Sequence, residues 1–400
     1  MAGMLRRLTL LLAEEVAMDG DASGFVEGLK ECFADHKDPR NENSCDHLLF
    51  DILAIAVLAV ACGADDWCGM AMFAKVKLEW LKTFLELPGG APSHDTFRRV
   101  FGLLDRKQFA ANLFRWTQAL HAATGGKLVA IDGKTLRRTF AKKSGLKALH
   151  LVTAWASENG LTLGQIACAE KSNEIPAIPE LLQLLNLKGC TVTIDAMGCQ
   201  TEIVEDIREQ DAQDVLAVKE NQPTLSTDLR QIFEEGLNTD FADVAHETST
   251  TKETAHGRTT ERTSDVLEIP RDHPQRQKWR DLRTLVVATS QVVVDQKETW
   301  ETRLFISDLR PRAKSLGHAI RKHWGIENGQ HWVLDVTFQE DAARQQDRHG
   351  SANLAAVRRL AVSLLRQETT LQRGTKTKRM VCALDTNYLL KVFATAKIDA

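Results

Sequence analysis

Apolar residues recur at helical spacing through the first third of the chain. Three segments have this pattern, "LLFDILAIAVLAVA", "MAMFAKVKLEWLKTFLEL" and "DTFRRVFGLLDRKQFAANLFRWTQALHAA". A turn, "PGGAPSHD", separates the last two segments and offers Ser93 or Asp95 as a helix cap. The pattern predicts a helical domain over residues 38–123, with Arg98 and Arg99 near a helix start.

The pattern changes after residue 123, where short apolar runs alternate with turns and helical segments. The runs typical of strands are "KLVAIDGK", "ALHLVTAWAS", "LTLGQIACA", "CTVTIDAMG" and "DVLAVK". Two segments with helical periodicity, "IPAIPELLQLLNL" and "TEIVEDIREQ", lie between the later strands. This order predicts an α/β fold over residues 124–222, with a mixed sheet flanked by helices.

The rest of the chain divides into further segments. Between residues 223 and 311, "TTERTSDVLEI", "DLRTLVVATSQVVVD" and "ETWETRLFIS" predict a β-rich insertion. Two long helices are predicted after it, at about 312–335 and 341–368. The remaining boundaries are residues 1–37, a variable N-terminal segment, residues 312–370, which hold the two helices, and residues 371–400, a basic C-terminal tail.

Charge is balanced overall but concentrated locally. The net charge is -3, whereas six cations and no acid lie between Lys134 and Ser157. Six cations and one acid lie between Arg303 and Lys322, and "LQRGTKTKR" near the C-terminus adds four cations. Basic islands on a balanced chain fit a protein that binds a polyanion on one face. Ordinary solvated faces are the alternative interpretation.

Cysteine usage and targeting signals indicate a cytoplasmic protein. The eight cysteines include no C-x-x-C pair, which excludes a zinc ribbon, and a disulfide framework is not expected at this length. Glu14 and Glu15 interrupt the apolar start before a signal-peptide core is complete. The segment "LLFDILAIAVLAVACG" is short for a membrane span and contains Asp51, so it predicts a buried helix and no membrane partner.

Two aspartates end predicted strands in the same way. Asp132 follows "LVAI" and Asp195 follows "TVTI", each before a small residue. If these strands are parallel neighbours, both carboxylates lie at one sheet edge, where ligands bind. Close carboxylates repel each other unless a cation lies between them, and oxygen ligands suit Mg²⁺ or Mn²⁺. Glu327 on a later helix would complete a two-metal site. Taken singly, the aspartates also fit turn residues, and Glu327 fits a surface glutamate.

Glu327 lies in "RKHWGIENGQHW", where helical spacing puts His323, Glu327, His331 and Asp335 in one line. This line supports a second hypothesis, a zinc site, because histidines on one helix face bind zinc. However, His323 and His331 are separated by about two turns and ~12 Å of rise, so one ion cannot contact both. The magnesium hypothesis is therefore favoured, and the histidines are expected to contact DNA or to orient Glu327.

Several long motifs in order carry a family resemblance that extends from about residue 38 to residue 392. They are "CGADDW", "GGAPSHDTFRRVF", "IDGKTLRR", "EKSNEIPAIPELL", "TIDAMGCQ", "KENQPTL", "HGRTTER", "HWGIENGQHWVLDVTFQEDAARQQ" and "NLAAVRRLAVSLLRQE". The chain resembles the DDE transposases of bacterial insertion sequences, in particular the H-repeat-associated group. The resemblance implies a ribonuclease H-like core and a helical N-terminal domain that helps to bind transposon ends.

The resemblance also implies an activity, the metal-dependent cleavage of DNA at inverted-repeat ends and the transfer of those ends into target DNA. The acidic triad falls on Asp132, Asp195 and Glu327, with Mg²⁺ as the cofactor and Mn²⁺ expected to substitute. DNA is the expected partner, bound by a homodimer at the nucleoid. A nuclease of the same fold without joining activity, and a non-catalytic DNA-binding protein derived from a transposase, are the alternatives.

Basic and polar side chains near the triad are the candidate DNA contacts. Lys134, Arg137 and Arg138 directly follow the first aspartate, and Arg321 precedes Glu327 as a candidate phosphate clamp. The full set of candidates is Arg98, Arg99, Lys134, Arg137, Arg138, Asn173, Lys219, Asn221, Arg321, His323, His331 and Arg344.

Overall fold

Helices form the first third of the protein, as the apolar spacing predicts. The computed structural model describes residues 22–41, 45–140, 147–169, 173–242, 244–255 and 257–394. The first helices are α1 (Ser23–Phe33), α2 (Leu49–Ala61), α3 (Trp67–Val76), α4 (Leu78–Leu81), α5 (His94–Leu103) and α6 (Arg106–Thr124). Helix α2 is buried from Asp51 onward, and the Asp51 carboxylate accepts a hydrogen bond from the Leu87 backbone N–H at 2.8 Å. The predicted buried helix is therefore confirmed. Within these ranges, no helix has both the length and the apolar character to span a bilayer.

A mixed sheet of nine strands forms the centre of the protein. The strands are β1 (Leu128–Leu136), β2 (Leu149–Ala156), β3 (Leu161–Ala167), β4 (Thr191–Ile194), β5 (Gln213–Val218), β6 (His246–Ala255), β7 (Arg258–Glu268), β8 (Thr284–Val294) and β9 (Lys297–Ser307). At one end the order is β3-β2-β1-β4-β5; β3, β2 and β1 are antiparallel, and β4 and β5 run parallel to β1. This is the ribonuclease H-like arrangement, so the predicted fold class is confirmed.

The β-rich insertion continues the same sheet. Strand β9 pairs antiparallel with β5, and β8, β7 and β6 follow in order. Strand β6 was not among the predicted strands, because its sequence "HETSTTKETA" is polar and mostly exposed and lacks an apolar face. Its pairing with β7 along ten residues from His246 to Ala255 supplies the stabilisation that its side chains do not.

The later helices pack around this sheet. They are α7 (Ala177–Leu182), α8 (Thr201–Glu209), α9 (Pro223–Asn238), α10 (Pro274–Lys278), α11 (Ala313–His323), α12 (Trp332–Val336), α13 (Arg348–Gln367), α14 (Thr375–Leu384) and α15 (Thr386–Ala394). The helix predicted for 312–335 is interrupted, because a π-helical turn over Glu327–His331 separates α11 from α12. The helix predicted for 341–368 begins later, because Asp347 caps α13 by accepting a hydrogen bond from the Gly350 N–H at 2.8 Å.

The predicted basic tail contains two helices, α14 and α15, that pack against the rest of the protein. Phe393 of α15 contacts Phe25 of α1, with ring centroids 5.0 Å apart. Arg379 is buried, donating to the Val60 carbonyl and pairing with Asp65 at 2.8 Å. Lys378 is also buried, and its ammonium group donates to the Leu365 carbonyl at 2.9 Å. Two of the four cations of this island therefore hold the helices together.

Candidate active site

The two aspartates lie side by side, as predicted, but only Asp195 ends its strand. Strand β1 continues to Leu136 because it pairs with β2 beyond the end of β4, so Asp132 lies within β1. Strands β1 and β4 are parallel neighbours in which Ile131 pairs with Ile194, so Asp132 and Asp195 follow at equivalent positions. Asp132 Oδ1 accepts a hydrogen bond from the Gly133 N–H at 2.9 Å. Asp195 Oδ1 accepts one from the Met197 N–H at 3.1 Å and so begins a short 3₁₀ turn. Both carboxylates are thus held at the carboxyl end of β4 by their own local backbone.

Glu327 reaches this edge through the π-turn. His331 Nδ1 lies 3.1 Å from Glu327 Oε2 and 3.6 Å from Asp132 Oδ2. Among the described residues, ligand atoms of Asp132, Glu327 and His331 all lie within 4.8 Å of one another. A π-turn holds one extra residue and is frequently found at functional sites. The distant carboxylate predicted to complete the pair is therefore next to Asp132.

The aspartates are electrostatically destabilised in the absence of a cation. Burial raises the pKa of Asp132 to about 7, and the nearby carboxylates of Asp195, Glu174 and Glu327 add to the increase. Burial also raises the pKa of Asp195, with Glu174 adding to it and Lys219 opposing it. An excess of buried negative charge with oxygen donors fits a hard divalent cation such as Mg²⁺.

His331 is a neutral side chain between the two carboxylates. Burial, reinforced by the charges of Arg359 and Lys134, lowers the pKa of His331 to about 3. Its Nδ1 faces Glu327 and Asp132, so the tautomer with hydrogen on Nδ1 donates to the carboxylates. Its Nε2 is buried and has no hydrogen-bond partner among the residues described.

The four residues predicted to share one helix face, from His323 to Asp335, do not lie together in the structure. His323 is buried and its Nδ1 lies 2.9 Å from Thr193 Oγ1; burial lowers its pKa to about 4. Asp335 pairs with Lys134 at 2.7 Å. Only Glu327 and His331 come together near Asp132, because the π-turn changes the helical register between His323 and His331. The structure therefore does not form a zinc site from these four residues, and His323 is placed away from a DNA-facing surface.

Lys134 also differs from its predicted placement. Its side chain is 8% exposed and forms ion pairs with Asp335 at 2.7 Å and with Asp341 at 3.9 Å. These pairs connect β1 to α12 and to the turn that follows it, so the ammonium group stabilises the site instead of facing solvent. Asn221 has a similar local role, since its Nδ2 donates to the Ala196 carbonyl at 2.6 Å and supports the turn after Asp195.

The other predicted DNA contacts lie on the surface. Arg137 is 81% exposed, with a contact to Asp341 at 3.2 Å, and Arg138 is exposed beside it. Arg321 is half-exposed and pairs with Glu253 at 3.2 Å. The exposed residues that complete the set are Arg98 (paired with Asp95 at 3.1 Å), Arg99, Asn173 (in a turn, accepting from the Ile175 N–H at 3.1 Å), Lys219 and Arg344. Lys142 and Lys143, which belong to the first basic island, lie outside the described residues.

Glu174, whose charge acts on both aspartates, was not among the residues predicted from the sequence. Glu174 lies between β3 and α7, and its Oε1 accepts a hydrogen bond from His150 Nε2 at 2.7 Å. Its charge contributes to the raised pKa of both Asp132 and Asp195. The signal was present in the motif "EKSNE", but sequence alone did not show which of its polar residues points toward the aspartates.

Comparisons with family models, curated proteins and solved structures show what this chain is similar to. A family model described as "Transposase DDE domain" matches residues 123–364, and one described as "DDE_Tnp_1-associated" matches residues 30–117. The Escherichia coli O157:H7 protein "Putative transposase YncI" is 38% identical over 373 residues, which cover 92% of this chain and 95% of that protein. The Escherichia coli K12 protein "H repeat-associated putative transposase YhhI" is 34% identical, covering 89% and 95%. Among solved structures, a piggyBac transposase synaptic complex with hairpin DNA aligns with a TM-score of 0.39 and 13% identity, covering 94% of this chain and 79% of that one.

The order and directions of β3-β2-β1-β4-β5, with Asp132 in β1 beside Asp195 after β4, define a protein of the ribonuclease H-like class. Within that class, the chain belongs to the DDE transposase family, and the resemblance found in its motifs is confirmed.

Proposed function

We propose that this protein is a transposase that cleaves DNA at the inverted-repeat ends of an insertion sequence and transfers those ends into target DNA. The observation that carries the proposal is that Asp132 lies beside Asp195 across the paired strands β1 and β4 and within 4.8 Å of Glu327. Asp132, Asp195 and Glu327 would hold Mg²⁺, or Mn²⁺ in its place. The bound cation would activate a water molecule or a DNA 3'-hydroxyl and stabilise charge on the phosphodiester.

The surrounding residues prepare this site before any cation binds. The hydrogen bond from His331 fixes one oxygen of Glu327. The Lys134–Asp335 pair holds α12 against β1, and Asn221 supports the turn that carries Asp195. Preorganised carboxylates avoid rearrangement during the reaction, which is how most electrostatic catalysis operates.

Replacement of His331 tests its positioning role. His331→Ala should reduce cleavage by about tenfold to a hundredfold, because the partner of a metal ligand is lost while the ligand itself remains. The preference for Mg²⁺ or Mn²⁺ should not change, and His331→Asn, which keeps a nitrogen donor near Glu327, should recover part of the rate. Stoichiometric zinc in the purified protein that disappears in His331→Ala, measured by elemental analysis, would instead establish the zinc hypothesis.

Exposed cations beside the site are proposed to bind DNA phosphates. Arg137→Ala combined with Arg138→Ala should weaken binding to any DNA sequence and reduce the slope of log affinity against log salt by about one to two, because each phosphate contact releases about 0.9 counterion. Filter binding at several salt concentrations measures this slope. The matched control is Lys127→Ala with Lys188→Ala, two exposed lysines that precede β1 and β4 at the opposite end of the sheet. If the lysine control changes DNA affinity and its salt dependence as much as the arginine double variant does, the proposed contact between these arginines and DNA is wrong.

Two assays separate the proposed function from its alternatives. Nicking of supercoiled DNA in Mg²⁺ is expected of a transposase and of a nuclease, but not of a non-catalytic DNA-binding protein. Joining of inverted-repeat ends to target DNA is expected of the transposase alone. The mass of the complex on end-sequence DNA tests the proposed homodimer, and we propose that this complex forms in the cytoplasm at the nucleoid.

A further inference from the structure

Glu174 lies at the edge of the sheet that carries the two aspartates. It follows β3, the strand next to β2, and comes just before α7. His150 on β2 donates from Nε2 to Glu174 Oε1, at 2.7 Å, and its Nδ1, 2.8 Å from Thr135 Oγ1, then accepts from the threonine hydroxyl. Thr135 and His150 are directly paired across β1 and β2. The imidazole therefore holds the Glu174 carboxylate from a rigid position in the sheet.

Gly133 shows from which face of the sheet this carboxylate approaches β1. Successive side chains of a strand point to opposite faces, so Glu174 lies against the face opposite the Asp132 side chain. A Cβ atom at position 133 would lie 2.0 Å from Glu174 Oε1 and 2.6 Å from His150 Nε2. Any other residue directly after Asp132 would therefore displace Glu174 or His150. The absence of a side chain at Gly133 leaves the space in which the fourth carboxylate lies.

The local charges do not balance. Asp132, Asp195, Glu174 and Glu327 provide four carboxylates, and Glu174 repels both aspartates. Of the described basic side chains beside them, Lys134 is already paired with Asp335, and Lys219, whose charge acts on Asp195, is exposed. The Glu174 side chain is only 12% exposed, so water screens its charge weakly. Divalent cations would neutralise the negative charge that remains.

We propose that Glu174 is a fourth carboxylate ligand of the site, binding the second of two hard divalent cations together with the aspartates. Asp132, Glu327 and His331 form one close group, and Glu174 approaches β1 from the other face at Gly133, so we assign Glu327 and Glu174 to different cations. His150 is a positioning residue that holds Glu174. The inference rests on the proposed function, which places divalent cations at this edge.

Titration with Mn²⁺ alone, followed by the electron paramagnetic resonance signal of free Mn²⁺, tests the proposal. The wild-type protein should bind two ions per chain. Glu174→Gln should weaken one of them by about a hundredfold or more while leaving the other, because the amide can still accept from His150 but is a poor ligand. Glu180→Gln is the matched control, since Glu180 lies on α7 and is half-exposed in an ion pair with Lys107. Wild-type protein that binds one ion, or Glu174→Gln that keeps both with unchanged affinity, overturns the proposal.

Salt and a second variant separate ligation from other effects of Glu174. If Glu174 is a ligand, Glu174→Gln should lose as much Mn²⁺ affinity at high salt as at low salt. If Glu174 acts only through long-range charge, salt screens the interaction and the loss of affinity becomes smaller. A smaller loss at high salt therefore argues against ligation. His150→Ala should weaken the same ion as Glu174→Gln, and His150→Gln, which keeps a donor, should recover it. If both variants leave Mn²⁺ binding unchanged, the positioning role is wrong.

The Mn²⁺-binding test of Glu174 and the DNA cleavage and joining tests of the proposed function can fail separately. Wild-type protein that joins DNA ends, together with Glu174→Gln that retains both ions, contradicts this inference alone. Wild-type protein that binds two ions and loses one in Glu174→Gln, but neither cleaves nor joins DNA, contradicts the proposed function alone.

Discussion

Glu327→Gln is expected to abolish DNA cleavage while DNA binding is retained. The amide has nearly the shape of the carboxylate but lacks the negative charge that would bind Mg²⁺. Loss of a group that stabilises developing charge costs about 10²- to 10³-fold in rate, and loss of a cation ligand should cost at least that much. Asp132→Asn and Asp195→Asn should have equally large effects, because one site requires all three carboxylates.

A supercoiled-plasmid nicking assay in Mg²⁺ measures this loss, and filter binding without metal measures DNA affinity. The affinity should be unchanged or slightly higher, because the substitution removes negative charge that faces the DNA backbone. Glu298→Gln, on the exposed part of β9, is the control that should keep the wild-type rate. If Glu327→Gln nicks the plasmid at the wild-type rate, the assignment of Glu327 to the triad is wrong.

The second large effect concerns stability without a cation. The pKa of Asp132 is about 7 in the folded protein, above the ordinary value of an aspartate in an unfolded chain. Because the folded pKa is raised, the folded state takes up a proton more readily than the unfolded state. The ionised carboxylate therefore lowers stability above about pH 7, and this cost disappears as the pH falls from about 7 toward 4. Asp132→Asn should remove the cost and raise the free energy of unfolding at pH 8 by about 1 to 3 kcal/mol, discounted for the partial exposure of the side chain.

Urea denaturation at pH 8 and at pH 5, with a chelator present, measures this difference. The increase in the free energy of unfolding caused by Asp132→Asn should be smaller at pH 5, where wild-type Asp132 is protonated. Saturating Mg²⁺ should stabilise the wild-type protein, because a ligand that binds only the folded state shifts the equilibrium, and should stabilise Asp132→Asn much less. The exposed Asp272→Asn is the control, with no expected change. A destabilised Asp132→Asn at pH 8 would contradict the assigned repulsion among the carboxylates.

Features that depend on neighbouring residues in the chain could be predicted from the sequence. The apolar repeat of α2 and the runs before Asp132 and Asp195 are local, so α2, β4 and the first half of β1 followed from them. The continuation of β1 to Leu136 did not, because it depends on pairing with β2. Strand β6 could not be predicted in this way, because its polar side chains have no apolar alternation and its stability comes from pairing with β7. The π-turn at Glu327 was also not predicted. The residues from His323 to Asp335 are spaced four apart in the sequence, and this spacing does not show whether a turn of the helix contains one extra residue.

By itself, the sequence determined the fold class and the family, because long motifs and local apolar patterns are written in consecutive positions, and it supplied the acidic triad that we propose. Only the tertiary structure decided which charged residues are exposed. Lys134 looks like a solvated cation in sequence, but its partner Asp335 is 201 residues away and buries it. Glu174 looks like a loop residue, but the space at Gly133 and the bond from His150 place it against β1, at the residue that follows Asp132. The free energy of burying a charge depends on partners that the chain brings together only when it folds, so residue type and spacing do not reveal it.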